Sequence, residues 1–189
     1  ANPRSNRNMG FYAKLGFLPK SLSFDMMRKV PKKIPKKPPH EILKYNECND
    51  DEKIDFLAGV RLLSNTTLPE VDYSPLIAQL HKFKYGESLL FIRNNTPIAF
   101  ALVQTISTSS EEDPNILRVI ALLTHPKTPD FYFKLILADL ENYAREHALQ
   151  QVLVRVPTNT PKTFRYLISN RFRIIFSDVR LTLEGYPEK

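Results

Sequence analysis

The chain holds one cysteine and four histidines, and their setting decides which chemistries are open to it. Cys48 lies in YNECNDDE, a polar stretch without the helical or glycine-rich surroundings that stabilise a thiolate. Being alone, it forms no intrachain disulfide, which fits a reducing compartment. His40, His81, His125 and His147 are scattered, and no two stand at the i, i+4 spacing that puts two ligands on one helix face. Each reads as solvated or as a cap, and no metal site is expected. The acidic run Glu111-Glu112-Asp113 reads as a solvated loop. There is no Ser-His-Asp spacing and no Walker loop. Two stretches remain. SNRNMGFYAKLGFLP joins a helix start at Ser5 to the aromatic pair Phe11-Tyr12, and THPKTPDFYFK, beginning at Thr124, carries a strand end into a helix start.

The elements around these stretches follow from periodicity. EILKYNE reads as a strand and DDEKIDFLAGVRLL as a helix whose first-turn acids complement the helix dipole. Ser74-Pro75 opens a second helix through Leu76, Leu80 and Phe83. SLLFIR and TPIAFALVQTI flank Asn94-Asn95, a hairpin signal, and the strand from Ile98 to Ile106 is apolar on both faces, so both sides should be covered. After the polar STSSEEDPN comes another buried strand, ILRVIALLT. Thr128-Pro129-Asp130 then starts a helix with Phe133, Ile136, Leu137, Leu140, Tyr143 and Ala144 on one face. QQVLVRV, a short helix opened by Thr160-Pro161, and RFRIIFSDVRLTLEG, one long strand or two short ones, close the chain. The order from residue 41, β-α-α-β-β-β-α-β-α-β(β), predicts an α/β fold with a mixed central sheet and helices on both faces.

The net charge of +7 is unevenly placed. Residues 1–40 carry ten basic side chains against Asp25 alone, and the remainder is slightly acidic. The excess therefore belongs to the front of the chain and to RKVPKKIPKKPPH, whose four prolines and six cations favour an extended spacer. A nucleic-acid platform is disfavoured. No apolar run has the length of a membrane span, and no secretion signal opens the chain, so a cytoplasmic protein is expected. The missing initiator methionine points to processing or to a cut in a longer protein.

Sliding the sequence by 155 residues lays SNRNMGFYAKLGF over TPKTFRYLISNRF. Phe11 meets Tyr166, Tyr12 meets Leu167 and Phe17 meets Phe172. A one-residue insertion would instead bring Tyr166 to Tyr12, with Asn159 seven residues ahead of it. LSFDMMRKV falls over DVRLTLEG. An echo at about one domain length suggests a tandem repeat whose first copy is represented only by its tail.

The element order of residues 41–189, and Ser5, Asn8, Phe11, Tyr12, Leu15, Gly16 and Phe17 at the front, resemble the GNAT superfamily of acyl-CoA-dependent N-acyltransferases. The resemblance implies residues 1–30 as the last helix and strands of a first domain, 31–40 as linker and 41–189 as a second domain. It implies Tyr12 as the acid that protonates the departing thiolate, Ser5 and Asn8 as cofactor-binding, and acetyl-CoA or another acyl-CoA as co-substrate. The acceptor would be a small-molecule or peptide amine, and the partners a missing N-terminal domain and a second copy in a homodimer. The superfamily's Arg/Gln-x-x-Gly-x-Gly/Ala loop is not matched: Pro129 stands at the arginine position, Tyr132 and Lys134 at the glycines, and Asp130 adds a negative charge. The second domain is thus expected to bind no cofactor and to complete a cleft, dock or dimerise. The competing reading is a non-enzymatic binding module on the same scaffold.

Overall fold

The computed structural model describes residues 5–32, 39–69, 71–107, 113–128 and 130–185. Among the described residues there are seven strands and five α-helices, the mixed α/β class that the pattern predicts. The chain divides into two compact units, residues 1–28 with 153–189 and residues 29–152.

The larger unit begins with β2 (Glu41–Lys44) and α2 (Asp50–Thr67). Helix α2 opens with a capping box: the Asn49 side chain accepts from the Glu52 amide while the Glu52 carboxylate accepts from the Asn49 amide. Helix α3 (Ser74–Lys82) has Pro75 in its first turn, as expected, although Tyr73 and not Ser74 is the flanking residue. Strands β3 (Gly86–Arg93), β4 (Thr96–Gln104) and β5 (Ile116–Thr124) follow, paired antiparallel in the order β2-β3-β4-β5. Asn94 and Asn95 both take positive φ (48° and 57°), the backbone of a type I′ hairpin.

Side-chain alternation shows which helix covers which face. Leu90, Phe100 and Leu102 join Phe56, Val60 and Leu63 of α2 and Ile77 and Leu80 of α3 in one core cluster. On the opposite face Phe91 meets the His40 ring, and His40 lies against Tyr132 of α4 (Asp130–Glu146). The central strands are covered on both sides, which is why Ser88 to Phe91 are buried in succession. Gly86 sits where an added Cβ would lie 1.9 Å from the Val103 carbonyl oxygen, so no other residue fits there. Within α4 the predicted stripe is buried from Ile136 to Ala144. Phe133 is only half-buried, and its neighbour Tyr132 takes the interior place.

The smaller unit is built from α1 (Asn6–Lys14), β1 (Phe17–Lys29), most of β6 (Gln151–Pro157), α5 (Pro161–Ser169) and β7 (Arg173–Leu183), with strands ordered β6-β1-β7. β1 and β7 pair antiparallel from Phe17↔Leu183 to Met27↔Arg173, with an irregularity at Lys20. The segment expected to close a first domain thus forms one ladder with the last strand of the chain. The sequence echo becomes geometric here. Helices α1 and α5 each span nine residues and coincide at the 155-residue offset. Gly16 (φ 83°) and Arg171 (φ 66°) are equivalent left-handed residues after each helix, and their amides donate to Ala13 and Ile168 at 3.1 Å in both copies. Since the offset holds without a gap, Leu167 and not Tyr166 is the counterpart of Tyr12. Ser23, midway along β1, faces its own equivalent, Asp178. The two copies are therefore related by an approximate two-fold axis passing between these residues.

Candidate active site

Ser5 caps α1, its hydroxyl accepting from the Asn8 amide at 3.4 Å. Ser5, Asn8 and Tyr12 follow at i, i+3 and i+7, so the helix brings all three predicted residues to one side. The Tyr12 ring is held edge-on between Phe11 and Phe17, with centroids 5.5 and 6.0 Å away, and is 38% exposed. Its counterpart Leu167 is fully buried. The same helical position thus carries an accessible phenol in one copy and a packed apolar side chain in the other.

The β5–α4 turn is where a phosphate cradle would lie. Such a cradle needs backbone N–H groups turned toward the ligand. Here the Lys127 amide donates to His125 Nδ1 at 3.1 Å and the Thr128 amide to the His125 carbonyl at 2.8 Å. The His125 amide donates to the Ile98 carbonyl at 2.8 Å, and the Thr128 hydroxyl to the same oxygen at 3.3 Å. Each of these donors is engaged within the protein. Tyr132, at a glycine position of the superfamily pattern, is buried beneath the Arg93 guanidinium, 5.1 Å from its ring centroid. Asp130 contributes a carboxylate to the first turn. Pro129 lies outside the described residues. The described part of this turn does not fit a diphosphate.

Two histidines correct the expectation of solvated or capping roles. The His40 side chain is fully buried, and its Nε2 lies 2.7 Å from Asp139 Oδ2 on α4. Its Nδ1 is buried without a partner. Burial pushes the Asp139 carboxyl above its ordinary range, and the His40 contact opposes this. Both residues line a cleft of about 880 Å³ within the larger unit, bordered also by Lys44, Arg93, Tyr143 and Glu146. The sequence signalled one half of this pair: Asp139 sits three residues after Ile136 and four before Tyr143, inside the apolar stripe, where a carboxylate requires a partner. His81 is likewise tied in, Nδ1 to Asn46 Oδ1 at 2.8 Å and Nε2 to the Ser88 hydroxyl at 2.9 Å.

The remaining candidates are structural. Cys48 Sγ donates to the Lys44 carbonyl at 3.3 Å, and burial, reinforced by Glu52, pushes its thiol up, away from a nucleophilic thiolate. His125 caps the Lys127 amide, and His147 Nδ1 lies 2.9 Å from the Tyr143 carbonyl. Asp113 accepts from the Asn115 amide, while Glu111 and Glu112 lie outside the described residues. Among the described residues no three His, Cys, Asp or Glu side chains cluster as metal ligands, and no helix is long and apolar enough to cross a membrane.

The element order and the two-sided cover of the central strands define the fold of the GNAT N-acetyltransferases. Among solved structures the chain is similar to a GCN5-related N-acetyltransferase from Sphaerobacter thermophilus, with TM-score 0.62 and 12% identity over 94% of this chain and 56% of that one. It is also similar to a tandem GNAT protein from the clavulanic acid biosynthesis pathway, with TM-score 0.64 and 13% identity over 100% of this chain and 62% of that one. A third is a GCN5-related N-acetyltransferase from Kribbella flavida, with TM-score 0.58 and 15% identity over 95% and 65% of the two chains. At these identities the likeness is one of fold, and the chain spans just over half to about two thirds of the length of each. No family model and no curated protein matches the sequence.

Proposed function

We propose that this chain is part of an N-acetyltransferase that moves an acyl group from acetyl-CoA, or another acyl-CoA, to a small-molecule or peptide amine. Its chemistry would centre on Tyr12 and on a domain preceding α1. The observation that carries this reading is the contrast between Tyr12 and Leu167, an accessible phenol and a buried aliphatic at equivalent places in two copies of one motif. A phenol, with an ordinary pKa of about 10, holds at Oη a proton that a leaving thiolate can take. Ser5 and Asn8, on the same side of α1, lie at its cofactor end. The 29–152 unit has its turn amides in use and acts as a cleft wall, a docking surface or a dimer contact. A cytoplasmic location belongs to the same reading.

Calorimetric titration with acetyl-CoA tests the proposal on residues 1–189 and on an N-terminally longer form. No binding is expected for the first and one site per chain for the second. Tyr12→Phe in the longer form should lower kcat by about 10²- to 10⁴-fold and leave coenzyme affinity unchanged. Tight binding to residues 1–189, or full turnover in Tyr12→Phe, would overturn it.

A further inference from the structure

We propose that the cleft between β2 and α4 binds a short peptide of about three residues, held by its free carboxylate at one end and its free ammonium at the other. The site lies in the larger unit and stands apart from the acyl-transfer reading, whose chemistry centres on Tyr12.

Alternation along the strands assigns the sheet side of the cleft. Leu43, Leu90 and Ile92 pack in the α2–α3 cluster, so Ile42 and Lys44 of β2, with Leu89, Phe91 and Arg93 of β3, turn to α4. Glu41 shares the side of Leu43, so its carboxylate is turned away. Ile42 and Leu89 make an apolar floor, with Lys44 and Arg93 at its two ends. Lys44 pairs with Leu89, four residues of β3 from Arg93, so the two positions stand about 13 Å apart. On α4, Asp139, Asn142, Tyr143 and Glu146 line the cleft at i, i+3, i+4 and i+7, one face of the helix. A helix laid on a sheet ordinarily turns an apolar stripe inward. Here the stripe gives way to Asp139, Asn142 and Glu146, and burying such groups costs stability. The cleft of about 880 Å³ has the size of a small-ligand site, which gives them another use.

The two ends differ in charge. At the first, the Arg93 guanidinium lies over the Tyr132 ring at 5.1 Å, and His40 lies against the same ring. No described residue accepts a hydrogen bond from this guanidinium, whose planar fork of N–H donors matches a carboxylate in two bonds. Asp139, the carboxylate at this end, is engaged by His40 at 2.7 Å. His40 Nδ1, buried without a partner, leaves one more polar atom unsatisfied there. At the second end Lys44 is tied to Glu47 at 2.9 Å. Glu146 keeps its carboxylate without a hydrogen-bond or ion-pair partner among the described residues. Burial first, then the charges of Glu87, Glu146 and Glu47, push the Tyr143 phenol up, in keeping with a negative end. Asp139 and Glu146 are seven residues apart on α4, about 10 Å along its axis. Three extended residues reach about 10 Å. A carboxylate on Arg93, an apolar centre over Ile42 and Leu89, and an ammonium on Glu146 thus fit one tripeptide.

Calorimetric titration of residues 1–189 with the tripeptide Ala-Leu-Ala tests this, with amide chemical-shift mapping in parallel. One saturable site is expected, with shifts confined to β2, the Asn94-Asn95 turn and the second half of α4. N-acetylation or C-terminal amidation of the peptide should each weaken binding at least about 10-fold, the loss of one charge-assisted contact. Arg93→Met should bind the free and amidated peptides equally while still preferring the free amine. Glu146→Gln should show the reverse, equal binding of free and acetylated peptides with the carboxylate preference intact. A thermal melt checks that both variants fold, and the modified peptides probe the same contacts on the unaltered chain. Absence of binding at millimolar peptide, or binding that ignores both end groups, would overturn the proposal, as would shifts that map to α1 and α5. None of these outcomes bears on acyl transfer by a longer form.

Discussion

Arg155 of β6 clamps Asp25 of β1, its Nε and Nη2 donating to the two carboxylate oxygens at 2.7 and 2.9 Å. The same Nη2 lies 3.1 Å from Asp178 on β7, so one guanidinium spans three adjacent strands. The planar fork of arginine matches a carboxylate in two bonds, which lysine does not. The hydrogen bond to Asp25 is the main reason the guanidinium holds its proton above the ordinary range.

Arg155→Lys should therefore destabilise the protein, but by only about 1 kcal/mol, because the arginine is half exposed and water screens the pair. Arg155→Met removes both bonds to the Asp25 carboxylate and should cost more. Urea denaturation of both variants checks the order. A double-mutant cycle with Asp25→Asn should return a coupling close to the Arg155→Lys loss.

Gly86→Ala should be among the most damaging single-methyl changes in the molecule. The new carbon would lie inside the van der Waals radius of the Val103 carbonyl oxygen, and backbone does not yield as a side-chain tip does. A loss of at least about 3 kcal/mol is expected in chemical denaturation, or failure to accumulate as folded protein.

Arg171→Gly should stabilise. Arg171 holds φ 66° after α5, where its equivalent is Gly16, and L-residues resist that region. Its side chain is exposed, so the change relieves strain and loses little contact. A gain of about 1 kcal/mol is expected, with Gly16→Ala losing a similar amount, both read from denaturation midpoints.

His81 and Glu87 should give stability opposite pH slopes. Burial, with Lys53 nearby, lowers the His81 pKa below its ordinary 6.5. The unfolded chain then takes up the proton first, so stability is full above that value and falls as pH drops toward the folded pKa. Burial raises the Glu87 pKa above its ordinary 4.5, against bonds from the Ser88 and Asn46 amides. The folded state keeps this proton longer, so stability falls as pH rises from 4.5 through the raised value and is level above it. His81→Gln should flatten the first slope and Glu87→Gln the second, the latter raising stability at neutral pH. Denaturation across pH 4.5 to 8 measures both.

His40→Ala should cost about 3 kcal/mol, since it leaves the Asp139 carboxyl buried without its partner. Asp139→Asn, which removes the charge and keeps a polar contact, should cost less. The reverse order in a thermal melt would mean that packing of the imidazole, and not its contact with Asp139, decides the effect.

The element order was legible because it rests on local signals. Asn94-Asn95 needs the left-handed backbone that makes a hairpin, and Ile136 to Ala144 repeats at helical period. The motif bearing Tyr12 was legible as well, since Ser5 caps within three residues. The pairing of β1 with β7 was not. It joins residues more than 140 positions apart, and strand sequences record which face is apolar, not which neighbour supplies the hydrogen bonds. His40 was misread for a similar reason. It follows a proline- and lysine-rich stretch that looks solvated, and only the fold brings Asp139 to it.

The antiparallel ladder sets Phe17 beside Leu183, so the segments leading out of the two strands depart from the same end of the ribbon. Tension applied between those segments would open the rungs one after another, like a zipper, and not load all of them at once in shear. In a single-molecule pulling experiment this junction would yield at low force, however well it resists heat or urea.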